Sequence, residues 1–262
     1  VCQPIKKGFS KIDEIYDMAS PADPNSDSPL SYMTHPFETM LVNTNGLWNL
    51  CDLALKYKAK ILFASTSEVY GDPLVSVQKE TYRGNVSTTG PRSVYDESKR
   101  FGETIVSAFV RKKSLDGRIV RIFNTYGPNM NINEGRAVVN FIKQAIRGDD
   151  ITIFGEGKQT RSFCYVDDLV AGLVKAMENK NSRGKVFNLG NDDERTIKGF
   201  AQLIKRLSKS KSTIVFSKAM PEDDPMIRKP DISRAKKILS WEPKVNLEQG
   251  ITKTIEYFEK IL

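Results

Sequence analysis

Tyr95 and Lys99 lie four residues apart in the run Tyr95-Asp96-Glu97-Ser98-Lys99, a spacing that puts a phenol and an ammonium one turn apart on one face of a helix. An ammonium beside a phenol favours the phenolate, so the pair is expected to lower the tyrosine's pKa. Tyr95 could then take a proton from an alcohol while Lys99 also holds a ribose hydroxyl. The spacing alone is common, and its bland reading is an ordinary helix face. A second cluster, Thr66-Ser67-Glu68-Val69-Tyr70-Gly71, follows the apolar run Lys60 to Ser65. It sets hydroxyls and a carboxylate just past the carboxyl end of a strand, where parallel sheets place their ligands.

The elements that must position these groups follow from hydrophobic period. Ile12 to Met18 and Lys60 to Ser65 read as buried strands, with helical spacing from Phe37 to Tyr57 between them. A helix is expected from Ser93 through Tyr95, Lys99, Gly102, Ile105 and Phe109, stopping before Gly117, and Gly117 to Phe123 reads as the next strand. Strands alternating with helices of this length predict an α/β, doubly wound, Rossmann-like parallel sheet over 1–126. After Gly127 and Pro128 the texture changes. Residues 127–262 read as a smaller α/β substrate domain, with part of 165–190 returning to the sheet. Its expected elements are helices at Val138–Gly148, Val166–Met177, Thr196–Leu207, Ile232–Leu239 and Leu247–Ile261, and strands at Ile151–Phe154, Lys185–Leu189 and Thr213–Phe216. Gly155 and Gly157 invite a dinucleotide motif, but Thr160 and the lack of a following helix favour a tight turn.

Composition narrows the classes. The 262 residues carry a net charge of +8 and a pI near 9.2, but the lysines are spread along amphipathic patterns such as Ile204 to Leu207. That distribution argues for solvated helix faces over a nucleic-acid surface. No apolar run reaches the length of a membrane span, and the start, with Lys6 and Lys7, lacks a signal peptide's apolar core. Three scattered cysteines, Cys2, Cys51 and Cys164, and a single histidine, His35, suggest neither a disulfide framework nor a metal cage. A soluble protein of a reducing cytoplasm is expected, with no metal.

Six segments carry a further signal: Ile15 to Pro21, Ala64 to Gly71, Pro91 to Arg100, Arg121 to Pro128, Gln159 to Asp168, and Arg228 to Ala235 with Trp241-Glu242-Pro243 beyond it. Together they resemble the extended short-chain dehydrogenase/reductase family of nucleotide-sugar enzymes, and within it the UDP-glucuronate decarboxylases. The resemblance implies NAD as cofactor, a UDP-sugar as substrate and a carboxy-lyase activity that yields UDP-xylose through a 4-keto sugar. It makes Thr66 the hydroxyl that meets the sugar O4 and Tyr95 with Lys99 the base pair. Ala19, Ser20 and Asn43 join Thr66, Tyr95 and Lys99 at the cofactor. Glu68 is the discriminating position, because the family's 4-epimerases lack a carboxylate there and its dTDP-glucose 4,6-dehydratases carry an Asp where this chain has Ser67. Ser67 is placed at the substrate, and Arg228 is implied to face the sugar carboxylate. The plain readings are a capping residue for Glu68 and a surface ion pair for Arg228. Arg161 and Asn124 match diphosphate donors, with Arg136 and Asn140 as weaker candidates, and Phe154 and Gln159 are expected at the uracil. A homodimer is implied through a four-helix bundle, for which Phe101, Ile105, Ala108 and Phe109 could supply surface.

One departure stands against this pattern. Residues 1–60 contain no GxGxxG or GxxGxxG turn for a dinucleotide's pyrophosphate. The expectation is therefore an N-terminally incomplete sheet, exposed apolar edges and weak NAD binding. Another nucleotide-sugar epimerase or 4,6-dehydratase remains open, as does a catalytically inactive homologue that binds a UDP-sugar or a partner.

Overall fold

The computed structural model describes residues 1–262 except 6, 7, 26, 27, 219, 221 and 222; Lys6 and Lys7 thus lie outside the described residues. The first half runs β1 (Glu14–Asp17), α1 (Pro36–Leu41), a π-helical turn (Val42–Gly46), α2 (Leu47–Tyr57), β2 (Lys60–Thr66), a 3-10 turn (Ser67–Tyr70), α3 (Ser93–Lys113) and β3 (Asp116–Ile122). The second half adds β4 (Thr125–Tyr126), α4 (Ala137–Arg147), β5 (Ile151–Phe154), β6 (Thr160–Ser162), β7 (Cys164–Tyr165), α5 (Val166–Glu178), β8 (Val186–Leu189) and β9 (Glu194–Thr196). It ends with α6 (Ile197–Leu207), β10 (Ile214–Lys218), β11 (Ile227–Arg228), α7 (Ser233–Leu239) and α8 (Leu247–Phe258).

The main sheet has the order β1-β2-β3-β8, all parallel. β2 is buried from Ile61 to Thr66 because helices cover both of its faces. On one side Leu47, Cys51 and Ala54 of α2 and Ile105, Val106 and Phe109 of α3 pack on Ile61 and Phe63. On the other, Leu169, Leu173 and Ala176 of α5 meet Leu62, Val120, Phe187 and Leu189. Ile232, Ala235, Leu239 and Trp241 pack there too, so the return to the sheet extends past residue 190. This is the doubly wound α/β arrangement. The far edge of β1 has no strand partner among the described residues, and Tyr16 and Met18 are exposed beside it.

The smaller layer is built from α4, α6 and α8 with the parallel pair β5–β10. Its core includes Val139, Ile142, Phe200, Ile204, Ile251 and Phe258, and the Phe163 and Phe200 rings stack at 4.0 Å. β4, β6, β7, β9 and β11 join the two layers and are two or three residues long, too short to show a period in the sequence.

The seating of α3 matters most for the site. Its apolar stripe faces the sheet, and Arg111, Lys112 and Lys113 in its last turn suit the negative end of the helix dipole. At Gly102 an added Cβ would lie 2.5 Å from the Phe63 ring and 3.2 Å from the Asn43 carbonyl oxygen. Only hydrogen lets the helix lie this close to β2 and the π-helical turn.

Candidate active site

The carboxyl ends of β1, β2 and β3 face the smaller layer across a cleft of about 1090 Å³. Ser20, Thr66, Ser67, Glu68, Tyr95 and Lys99 line it from the sheet side. Asn124, Arg136, Asn140, Phe154, Gln159 and Arg161 line it around the smaller layer. Ala19, Asn43 and Arg228 stand behind this wall.

Burial dominates the phenol side. Tyr95 sits in the first turn of α3, its ring stacked on Tyr32 at 4.8 Å between centroids. Lys99, one turn on, donates from Nζ to the Ala64 carbonyl at 2.7 Å and lies 4.9 Å from the centre of the Phe63 ring. Burial pushes the Tyr95 phenol up to about 12, against a hydrogen bond with Thr66 that pulls it down. Burial also lowers Lys99 to about 8, opposed by the Asp17 carboxylate. The Tyr95–Lys99 spacing leads to the expectation of a more acidic phenol; desolvation of the phenolate instead sets the net direction for Tyr95, upward. Thr66 Oγ1 accepts from the Glu68 amide at 3.2 Å and caps the 3-10 turn, so Thr66 rather than Glu68 is the capping residue.

Pairing dominates the carboxylate side. Glu68 Oε2 accepts from Arg92 Nη2 at 2.8 Å and from Arg228 Nη2 at 3.0 Å. Burial would raise the Glu68 carboxyl, but Arg228 and Arg92 hold it well below the usual carboxylate range. Arg228 is 1% exposed, and its Nη1 donates to the Ser67 carbonyl, so it reaches the cleft only through Glu68. That differs from the expectation that Arg228 faces a ligand directly, and its burial also rules out a surface ion pair. Arg92 continues to Asp224, Nη1 to Oδ1 at 3.3 Å, and Asp224 Oδ2 accepts from Arg161 Nη2 at 2.9 Å. Asp96, beside Tyr95, is raised by burial and by Glu68.

The remaining candidates separate. Asn43 is buried in the π-helical turn and donates to Ser20 Oγ and Ser98 Oγ, both at 3.1 Å. The Ala19 amide donates to Asp17 Oδ1 at 3.3 Å. Arg136 donates to the Ala22 carbonyl at 3.3 Å, and Asn140 to the Gly135 carbonyl at 3.0 Å. Gln159 donates to the Phe154 carbonyl at 3.1 Å, closing the turn in which Gly155 and Gly157 both have positive φ. On α3 only Phe101 of the four expected surface residues is exposed: Ile105 and Phe109 are buried against their own sheet and Ala108 is half-buried.

Residues 4–190 match the NAD dependent epimerase/dehydratase family. The chain belongs to that family. Among relatives, it is 50% identical over 256 residues to UDP-glucuronic acid decarboxylase 1 of Danio rerio, which covers 97% of this chain and 59% of the relative. It is 49% identical over 243 residues to UDP-glucuronic acid decarboxylase 6 of Arabidopsis thaliana, covering 93% and 68%. The chain thus spans about three fifths of the length of the first of these. Among solved structures, UDP-glucose 4-epimerase from Thermotoga maritima with UDP-glucose aligns with a TM-score of 0.86 at 29% identity, over 95% of this chain and 78% of that one. UDP-glucuronic acid 4-epimerase from Bacillus cereus, in complex with UDP-glucuronic acid and NAD, gives 0.83 at 29%, over 96% and 76%. The Rossmann-like parallel sheet is therefore that of the family.

Three residues of this site escape a reading of the sequence: Arg92, Asp224 and Tyr32. Arg92 lies three residues before Tyr95, one helical turn away, which is a usable signal. Asp224 and Tyr32 carry none, because their partners are distant in the chain.

Proposed function

We propose that this chain carries the sugar-nucleotide site of an NAD-dependent UDP-glucuronate decarboxylase that forms UDP-xylose. The observation that carries the reading is Glu68, held ionised by Arg92 and Arg228 on the same cleft wall as Thr66 and Tyr95. The identity to decarboxylases along nearly the whole chain supports it.

The donors present suit the nicotinamide-ribose end of the cofactor. Tyr95 and Lys99 offer a phenol and an ammonium on the cleft wall, Ser20 lies beside them, and the buried Asn43 Oδ1 has no hydrogen-bond partner among the described residues. Ala19, Ser20, Asn43, Thr66, Tyr95 and Lys99 would hold that end. When bound, NAD supplies a reversible two-electron acceptor at the sugar C4.

The chain's own groups account for the protons. Tyr95 takes the O4 proton as a phenolate, with the Thr66 hydroxyl as hydrogen-bonded relay; burial raises the phenol, and the Lys99 ammonium one turn away works against burial by stabilising the phenolate. Oxidation at C4 makes a ketone beta to the carboxylate. The bond from C5 to the carboxylate can then break, its electron pair forming an enolate on O4 that the Thr66 and Tyr95 hydroxyls stabilise. Glu68, an acceptor only, orients a water that gives a proton to C5 and leaves as hydroxide, Arg228 acts by fixing Glu68, and Tyr95 returns its proton to O4 as the two electrons come back to C4, which gives the pentose. Arg161 and Asn124, with Ser67, Arg136 and Asn140, form the substrate wall, and Phe154 and Gln159 the end suited to uracil.

Incubation with UDP-glucuronate and NAD tests the proposal. Carbon dioxide and a UDP-pentose are the expected products. A 4-epimer without gas release would make the chain an epimerase, and UDP binding without turnover would make it a binding homologue.

A homodimer completes the proposal. Phe37, Leu41 and Trp48 along α1–α2 and Phe101 on α3 are 71%, 46%, 48% and 54% exposed, an apolar face that two copies could bury as a four-helix bundle. Phe101→Glu should shift the mass seen by light scattering to that of a monomer.

A further inference from the structure

The register of β6 and β11 sets Arg161 opposite Arg228 on adjacent strands, and Arg92 brings a third guanidinium to the same wall. Like charges this close need anions between them. Glu68 serves Arg92 and Arg228, whereas Asp224 is the only carboxylate ion-paired with Arg161 among the described residues. Asp224 itself bridges two guanidiniums, with one oxygen on Arg92 and the other on Arg161, and all three side chains line the cleft. Burial already disfavours the charged form of Arg161, and the Asp224 carboxylate offsets this. The fixed tether of Asp224 is short: Met226 donates its amide to Asp72 Oδ1 at 2.9 Å and accepts from the Thr160 amide at 2.9 Å.

We propose that Asp224 is an internal anion standing where a ligand diphosphate binds, and so a residue that determines which ligands the site admits. The inference rests on the UDP-sugar reading above and deepens it. A ligand must exchange the two guanidinium–carboxylate bonds of Asp224 for guanidinium–phosphate bonds. A diphosphate does so readily, with more charge and more acceptor oxygens than one carboxylate. A neutral nucleoside cannot.

Calorimetric titration with UDP and with uridine, at two salt concentrations, tests this on the chain and on Asp224→Asn and Asp224→Ser. Asparagine keeps the shape and removes the charge; serine also removes the bridge, and thermal melts verify that both variants fold. Removing a competing, partly buried ion pair should tighten UDP binding about tenfold and leave uridine unchanged. The gain should shrink at high salt. Unchanged or weaker UDP binding in both variants would show that Asp224 holds Arg161 in place rather than competing for it, and overturns the proposal. An equal gain for uridine overturns it as well. Failure of every form to bind UDP overturns both this proposal and the sugar-nucleotide reading, whereas UDP binding without tightening sinks only the role of Asp224.

Discussion

The two walls of the cleft are buried to a similar degree, yet their charges respond in opposite ways. Around Tyr95 and Lys99 the charged forms are disfavoured, the phenol rising to about 12 and the ammonium falling to about 8. Around Glu68 the charged form wins despite burial. The difference lies in partners. Lys99 has a neutral carbonyl at hydrogen-bond distance and Tyr95 a neutral hydroxyl, whereas Glu68 has two guanidiniums within 3.0 Å. Depth in the protein therefore does not decide ionisation; the charge count of the neighbours does. One wall is set to exchange protons and the other to keep a fixed charge.

Removing the group that takes the O4 proton should produce the largest effect. Tyr95→Phe keeps the ring on Tyr32 and deletes the hydroxyl, and should lower carbon dioxide release about a thousandfold with UDP affinity retained. Unaltered release would end the proposed chemistry for that wall. On the other wall, Arg228→Met leaves Glu68 with one fewer cation and should cost about 3 kcal/mol of stability in urea unfolding. A change within error would mean that Arg92 alone holds the carboxylate.

Stability against pH separates the walls further. The folded value of Lys99 lies below its ordinary 10.5, so the unfolded chain binds more protons between about 8 and 10.5, and stability should rise with pH across that window. The full span is worth roughly 3 kcal/mol. Lys99→Met should lose most of the rise between pH 8 and 9.5; an identical slope would place Lys99 in a more solvated state. Glu68 is also depressed, from an ordinary 4.5, so its stabilisation is present above that value and lost as pH falls below it toward the folded value. Glu68→Gln should flatten this acid-side loss, and a parallel curve would show that the carboxylate is not paired in solution.

Much of this arrangement can be read from residue order. The apolar period of Lys60 to Ser65 and of Ser93 to Phe109 marks β2 and α3, because a covered parallel strand and a helix packed along one stripe each leave a distinct pattern. Those two elements alone bring Thr66, Glu68, Tyr95 and Lys99 together. Asp224 is different, since it meets Arg161 63 residues away and Arg92 132 residues away. Nothing local marks such a pair. The exposed apolar face is a similar case: Phe101 is visible on α3, but Phe37, Leu41 and Trp48 gain meaning only once α1 and α2 lie beside it. The sign of the Tyr95 shift escapes for another reason, because helical spacing tells which groups are near but not how much water they have lost.

Gly102 has no functional group, yet it sets the distance between α3 and the strand end that carries Thr66. A survey of inactive variants sorted by side-chain chemistry would pass over it. The tolerance of the site to sequence drift thus depends on a spacer as well as on reactive groups, and grafting Tyr95 and Lys99 onto another scaffold without that gap would transfer the ingredients but not the reach.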